Sequence, residues 1–249
     1  MTHLSVTQIN MFLRCPKQYY FRYIEGKKIP PAGAIVKGIV THKAIEENYK
    51  YKMNNFEDLP VNDVLDIAAQ AFTDYVTNNE VDWQDEPPNK VKDDSIKLTK
   101  LYRLQVAPEV MPVAVEAQVE LPINDEYYLL GFIDLVDHNR NIRDTKTTSR
   151  TPSVNSIENS IQLIAYSKAY RKLFNSTENQ IILDYLVSTK DPKYVNFTRK
   201  IDDSEFEFFD DIVNNVITAI KAGAFPPNPN NFMCSPEGCG YYKLCRRRM

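Results

Sequence analysis

Four cysteines occur in this 249-residue chain, and their placement constrains its fold more than any other feature. Cys15 stands near the N-terminus, whereas Cys234, Cys239 and Cys245 fall in the last sixteen residues, with no thiol between the two groups. A set divided in this way predicts that the chain ends meet at one four-thiolate site, with a folded domain strung between them. Closing a loop of that length costs on the order of 4–5 kcal/mol of chain entropy, which metal–thiolate bonds can offset. The opening stretch MTHLSVTQINMFLRCPKQYY has no apolar signal core, so a cytoplasmic protein is expected. In a reducing compartment, clustered thiols point to metal before disulfide.

Composition narrows the class. Hydrophobic residues at 43% and charged residues at 25% are ordinary for a water-soluble domain. No apolar run approaches the roughly 18–20 residues of a membrane span, so no membrane partner is expected. The net charge of −3 does not exclude nucleic acid, because carboxylates gathered round a cation are counted as negative while acting as ligands. Basic residues do cluster locally, at Lys168, Arg171 and Lys172 and at Lys243, Arg246, Arg247 and Arg248.

Ser5-Val6-Thr7-Gln8 reads as a capping box that opens a helix running towards Tyr23, with Gly26 beyond its end. Further helices are expected over 34–51, 63–78 and 93–105. Val113, Val115, Ala117, Val119 and Leu121 then alternate with more polar residues, the period of a strand. Strands over 127–136 and 142–147 follow, then a helix over 156–174, strands over 181–187 and 194–201, and a helix capped by Ser204. This order predicts an α/β protein with a helical N-terminal cap over 1–110, a core over 111–203, and a C-terminal helix and cysteine cluster over 204–249 that closes onto Cys15.

Three short signals follow one another in the core. Gly131-Phe132-Ile133-Asp134 ends one strand, Asp144-Thr145-Lys146 lies on the next, and Gln162 to Tyr166 lies on the following helix. Asp144 and Lys146 share a strand face, and Gln162 and Tyr166 share a helix face. D-x-K by itself is more often an exposed ion pair of little consequence. The ordered set is much rarer. Two carboxylates beside a lysine suit a divalent cation, which needs hard oxygen ligands and activates water against a phosphodiester.

With these motifs the chain resembles the RecB-like branch of the PD-(D/E)XK nuclease superfamily, which includes CRISPR-associated exonucleases. The resemblance also takes in Ser5 to Asn10, Cys15-Pro16-Lys17-Gln18-Tyr19-Tyr20-Phe21 and Gly38-Ile39-Val40-Thr41-His42. It implies a restriction-endonuclease-like core, a mixed sheet flanked by helices. It further implies that His42, Asp134 and Asp144 are ligands of Mg²⁺ or Mn²⁺, together with the Thr145 carbonyl. Lys146 becomes the catalytic lysine, and Gln162 and Tyr166 support the site and contact DNA. Glu46 and Glu116 are weaker candidates, for which solvent-facing or salt-bridged roles are expected. Arg143 stands where the family more often has an apolar residue. The aromatics Tyr19, Tyr20, Phe21 and Tyr23 are expected to pack in the helical region rather than stack on bases.

The resemblance also bears on the cysteines. Cys234-x₄-Cys239-x₅-Cys245 with a distant Cys15 lacks the two close pairs of a zinc ribbon. Families with the one-plus-three arrangement carry a structural [4Fe–4S] cluster, and zinc remains the alternative because the first spacing is longer than usual. The function implied is a metal-dependent DNA exonuclease acting at single-stranded ends, with a recombination or CRISPR-adaptation protein as partner. A structure-selective endonuclease and a non-catalytic DNA-end-binding adaptor are the competing readings.

Overall fold

The computed structural model describes every residue except Asp85, Asn159 and Arg247 to Met249, and the side chains of Asn155 and Ser156. Arg247 and Arg248, part of the basic C-terminal stretch, therefore lie outside the described residues. The chain forms two compact units, one of residues 1–29, 120–131 and 202–249, the other of residues 30–119 and 132–201. The first 29 residues thus group with residues 202–249, and residues 30–110 group with residues 132–201.

In the first unit, strand β1 (Thr2–Leu4) pairs in parallel with Tyr127 to Leu129. The sequence carried no clear sign of so short a strand. Helix α1 (Val6–Arg14) begins with the expected capping box, Gln8 N–H donating to Ser5 Oγ and Ser5 N–H to Gln8 Oε1, both at 3.2 Å. The single helix expected as far as Tyr23 is broken at Cys15, which is extended (φ −163°, ψ 103°). Pro16 explains the break, because a proline excludes the residue before it from the helical region. Helix α2 (Pro16–Tyr19) and one π-helical turn (Tyr20–Ile24) follow. Tyr19 and Phe21 are buried, and Phe21 stacks on Tyr241 at 5.6 Å between ring centres. These aromatics pack internally, as expected. Near the other end of the chain, α8 (Ser204–Lys221) takes Asp203 as its cap, one residue before the expected Ser204, and α9 (Tyr242–Arg246) closes the described residues.

The second unit holds three long helices, α3 (Gly33–Asn55), α4 (Val61–Asn78) and α5 (Pro88–Gln105). Pro88 starts α5 earlier than expected, as proline suits the first turn, whose N–H groups have no helical partner. Strands β2 (Pro112–Pro122) and β3 (Tyr127–Asp137) contribute residues to both units, and β4 (Asn141–Thr148) follows. The helix expected over 156–174 is two helices, α6 (Asn155–Glu158) and α7 (Ile161–Phe174), the second capped at Ser160. Strands β5 (Gln180–Val187) and β6 (Lys193–Arg199) complete the sheet. The order is β3-β4-β5-β6 with β2 on β3; β4 is antiparallel to β3 and parallel to β5, and β6 is antiparallel to β5. This is the expected α/β fold, a mixed sheet with helices packed on it. The crossover through α7 makes the parallel pair possible.

The period-two expectation for β2 fails at one point. Val113 is 50% exposed, whereas Val119 and Leu121 are buried, so the phase of burial changes along the strand. Glu116 lies between them in the left-handed region (φ 49°). A non-glycine residue held there is strained and breaks the alternation as a bulge does.

Arg143 is the other departure, and its surroundings explain it. Its guanidinium donates through Nε and Nη2 to both carboxylate oxygens of Asp184 on β5, each at 2.8 Å, and the Tyr194 hydroxyl donates to the same carboxylate at 2.6 Å. Burial works against the charge on Arg143, but the Asp184 carboxylate outweighs it and holds the group above its ordinary value. A charged residue is thus accommodated in a buried strand by a bidentate partner. Breaking a buried pair strands the remaining charge, so Arg143→Met alone should destabilise the fold by about 3–5 kcal/mol. The double variant Arg143→Met/Asp184→Leu should recover most of that loss in urea unfolding.

Candidate active site

All the core candidates lie in the second unit. Leu135 pairs with Arg143 and Val136 with Ile142. One further step of that register sets Asp134 opposite Asp144. Helix α3 lies over the end of β4, where a Cβ on Gly38 would come 3.3 Å from Thr147 Oγ1. One turn further along, His42 reaches the same strand, its Nε2 2.5 Å from the Thr145 carbonyl oxygen. A carbonyl oxygen can only accept, so Nε2 carries the proton and donates.

The remaining ring atom decides what the site can hold. His42 Nδ1 is 3.4 Å from Asp134 Oδ2. Burial lowers the His42 pKa, with Lys146 adding to the effect and Asp144 opposing it. The ring is therefore neutral at physiological pH, and Nδ1 presents a lone pair to a carboxylate. Either a proton or a cation must lie between two such acceptors. Glu116 faces the same point, and one ligand atom from each of His42, Glu116 and Asp134 lies within 4.8 Å of the others. A solvent-facing or salt-bridged role was expected of Glu116; the structure sets it half-buried beside His42 and Asp134. Its left-handed backbone turns it out of simple alternation, a feature no periodicity argument can foresee. Glu46, in contrast, pairs with Lys43 and Lys50 as expected.

Asp144 lies beside this group and is itself buried. Its Oδ1 accepts from Lys146 Nζ at 2.9 Å and from Gln162 Nε2 at 3.2 Å. Nζ also lies 2.8 Å from Oδ2, yet off the line of a hydrogen bond, so that buried oxygen has an ionic neighbour and no hydrogen-bond donor. The expected helix pair completes the network: Gln162 Oε1 accepts from Lys146 at 3.1 Å, and Gln162 Nε2 donates to the Tyr166 hydroxyl at 2.7 Å. Burial opposes the charge on Lys146, but Asp144 and Asp134 outweigh it and raise its pKa. The lysine is a firmly protonated donor. Asp134 is pushed well above the ordinary carboxylate range by burial, then by Asp144. Glu116 is raised by burial and by Glu46. Acids that resist ionising together, one imidazole lone pair and a carboxylate oxygen without a donor make a donor set suited to a hard or borderline divalent cation.

The four cysteines are all in the first unit and line one pocket of about 30 Å³. Gln18 Nε2 lies 3.1 Å from Cys239 Sγ, and the Asn228 N–H donates to Cys15 Sγ at 3.4 Å. Burial, with Cys15 and Cys239 nearby, raises the Cys245 pKa. Lys17 and Arg246 also line the pocket.

A histidine and two acids close enough together to hold a cation, beside a protonated lysine on a mixed sheet flanked by helices, suit metal-assisted hydrolysis of phosphodiesters. The sequence profile of the PD-(D/E)XK nuclease superfamily matches residues 3–246, and the chain belongs to that superfamily. Its members use divalent metals, and DNA is the substrate they imply. No curated protein matches the chain. Among solved structures, a protein from Eubacterium rectale described as a "putative exonuclease" aligns over 97% of this chain and 87% of its own, with 10% identity and a TM-score of 0.62. At that identity the likeness shows a shared fold. The structure of SSO0001 covers 98% of this chain and 96% of its own at 12% identity, with a TM-score of 0.40, too distant to carry an argument. Among the described residues no helix is long and apolar enough to cross a membrane.

The raised Asp134 pKa has a consequence for folding. Between its unfolded value near 3.8 and its higher folded value, the native state binds the extra proton, so stability falls as pH rises through that window. Asp134→Asn removes the loss. In thermal scans without divalent cations, the variant should melt above the parent at pH 7–8, and the gap should close below about pH 4.

Proposed function

We propose that the protein is a Mg²⁺- or Mn²⁺-dependent deoxyribonuclease of the RecB-like branch, an exonuclease that hydrolyses single-stranded DNA from its ends. The observation that carries this reading is the meeting of His42 Nδ1 and the Asp134 carboxyl group, 3.4 Å apart with room between them for one proton or one cation, and with Glu116 beside them. His42, Asp134 and Glu116 hold the cation, with Asp144 Oδ2 and the Thr145 carbonyl available to complete the shell. When bound, the cation neutralises charge on the scissile phosphate and lowers the pKa of the attacking water.

The chain's own groups do the rest. Lys146, protonated, donates to the phosphoryl oxygen on which charge grows. It is a poor general base in this setting, because both carboxylates raise its pKa. Gln162 holds the lysine through Oε1 and links it to Tyr166, so the helix fixes the position of the ammonium group. The Asp144 carboxylate anchors the same lysine from the strand.

For the cysteine pocket we favour a structural [4Fe–4S] cluster over zinc. The one-plus-three arrangement of the cysteines favours the cluster through the family resemblance, and Lys17 and Arg246 line the same pocket. Cytoplasmic localisation and a recombination or CRISPR-adaptation partner belong to the same proposal and rest on the family resemblance.

Two assays test the account. With Mn²⁺ and single-stranded DNA labelled at either end, Lys146→Met should lose on the order of 10²–10³ in kcat, and Asp144→Asn should be inactive. Unchanged cleavage by Asp144→Asn would remove the catalytic assignment. For the cluster, protein purified without oxygen should contain iron and sulfide. Cys239→Ala should lose both and melt earlier, and a colourless zinc protein would reject the cluster while leaving the nuclease.

A further inference from the structure

The proposed active site opens into a cleft of about 1150 Å³ in the second unit, between α3 and α4. His42, Glu116, Thr145 and Lys146 form its inner end. The walls have an unusual character for a nuclease. Ile35 and Ile39 stand one turn apart on α3, 56% and 42% exposed, and Ile67 and Tyr75 face the same space from α4. Gln70 and Asn78 add neutral amides, whose nitrogens donate to the Asp74 carboxylate at 2.7 Å and the Asp74 carbonyl at 2.8 Å. The cations lining the cleft are Lys43, held by Glu46 and Glu47, and Lys146, held by Asp144. Asp74 and Glu46 are also present.

A channel that tracks the phosphate backbone needs unpaired lysines or arginines along its length. This wall has none to offer. It offers apolar side chains, which suit the faces of nucleobases. In a duplex those faces are stacked and paired, and only an unpaired strand can turn them into such a wall.

We infer that the α3–α4 cleft takes unpaired bases, turned inward against Ile35, Ile39 and Tyr75, and so selects single-stranded DNA by base contact rather than by backbone charge. The inference rests on the nuclease reading above and adds to it the residues that read the strand. From Ile35 to His42 is seven residues, about 10 Å along the helix axis, so the apolar wall lies close to the candidate metal group and is short.

The test compares three labelled probes: oligothymidylate, an abasic strand of equal length, and a blunt duplex. Binding is read by fluorescence anisotropy in EDTA, so that no cleavage intervenes, and cleavage is read separately with Mn²⁺. Ile35 and Ile39 are exposed, so Ile35→Ser/Ile39→Ser should melt with the parent. It should bind oligothymidylate about tenfold more weakly, about 1.4 kcal/mol, with the abasic strand unaffected. In cleavage, KM should rise while kcat stays within about twofold. Ile39→Trp, which adds a stacking surface, should bind oligothymidylate more tightly. Equal losses on the base-bearing and abasic strands, no loss on either, or duplex binding as tight as that of the single strand would overturn the inference. If instead the base-dependent contrast appears in binding but the wild type cuts no strand in Mn²⁺, the cleft reading stands and the nuclease reading fails.

Discussion

The buried contact between Arg143 and Asp184 is the constraint on which the site depends. It ties β4 to β5 through two charge-assisted hydrogen bonds, with Tyr194 closing the third side. Side chains alternate along a strand, so fixing Arg143 on one face of β4 presents Asp144 and Lys146 on the other. A slip of one residue would exchange the faces and carry the acid and the lysine into the packing. The pair therefore specifies register as well as stability. Asp184 itself is raised by burial, with Arg143 and Tyr194 opposing the shift, so burying the pair carries a desolvation cost that its hydrogen bonds must offset.

On the opposite face the electrostatics are arranged the other way. Asp134, Asp144 and Glu116 crowd together with one firmly protonated lysine and a neutral histidine. Burial and mutual repulsion raise Asp134 and Glu116, while the lysine is held charged. Such a group is costly to fold and suited to a cation that relieves the repulsion. Strain is placed in the same spot, in the left-handed backbone of Glu116. Local departures from regular structure gather at functional sites because the surrounding packing can hold them there.

Much of this was legible in the residues. The capping box at Ser5 follows from residue spacing, the shared face of Asp144 and Lys146 and the helix pair Gln162 and Tyr166 follow from periodicity, and the structure has them as expected. The four cysteines do line one pocket. What escaped is of one physical kind: features set by non-local contacts or by rare backbone conformations. Glu116 enters the site because its φ is positive, and Arg143 is tolerated because Asp184, 41 residues later, meets it. β1 is too short to be seen without its partner Tyr127 to Leu129. The break at Cys15 was the exception, since Pro16 was in view and its effect on the preceding residue is local.

The central claim is that His42, Glu116 and Asp134 seat a divalent cation in place of a proton. Calorimetric titration with Mn²⁺ near pH 7.5 in buffers of different ionisation enthalpy measures this directly, because it counts the protons released on binding. The account predicts saturable binding of Mn²⁺ with net proton release, lost in Asp134→Asn and weakened in Glu116→Gln. Binding of equal affinity in all three proteins, or none in the wild type, would contradict it.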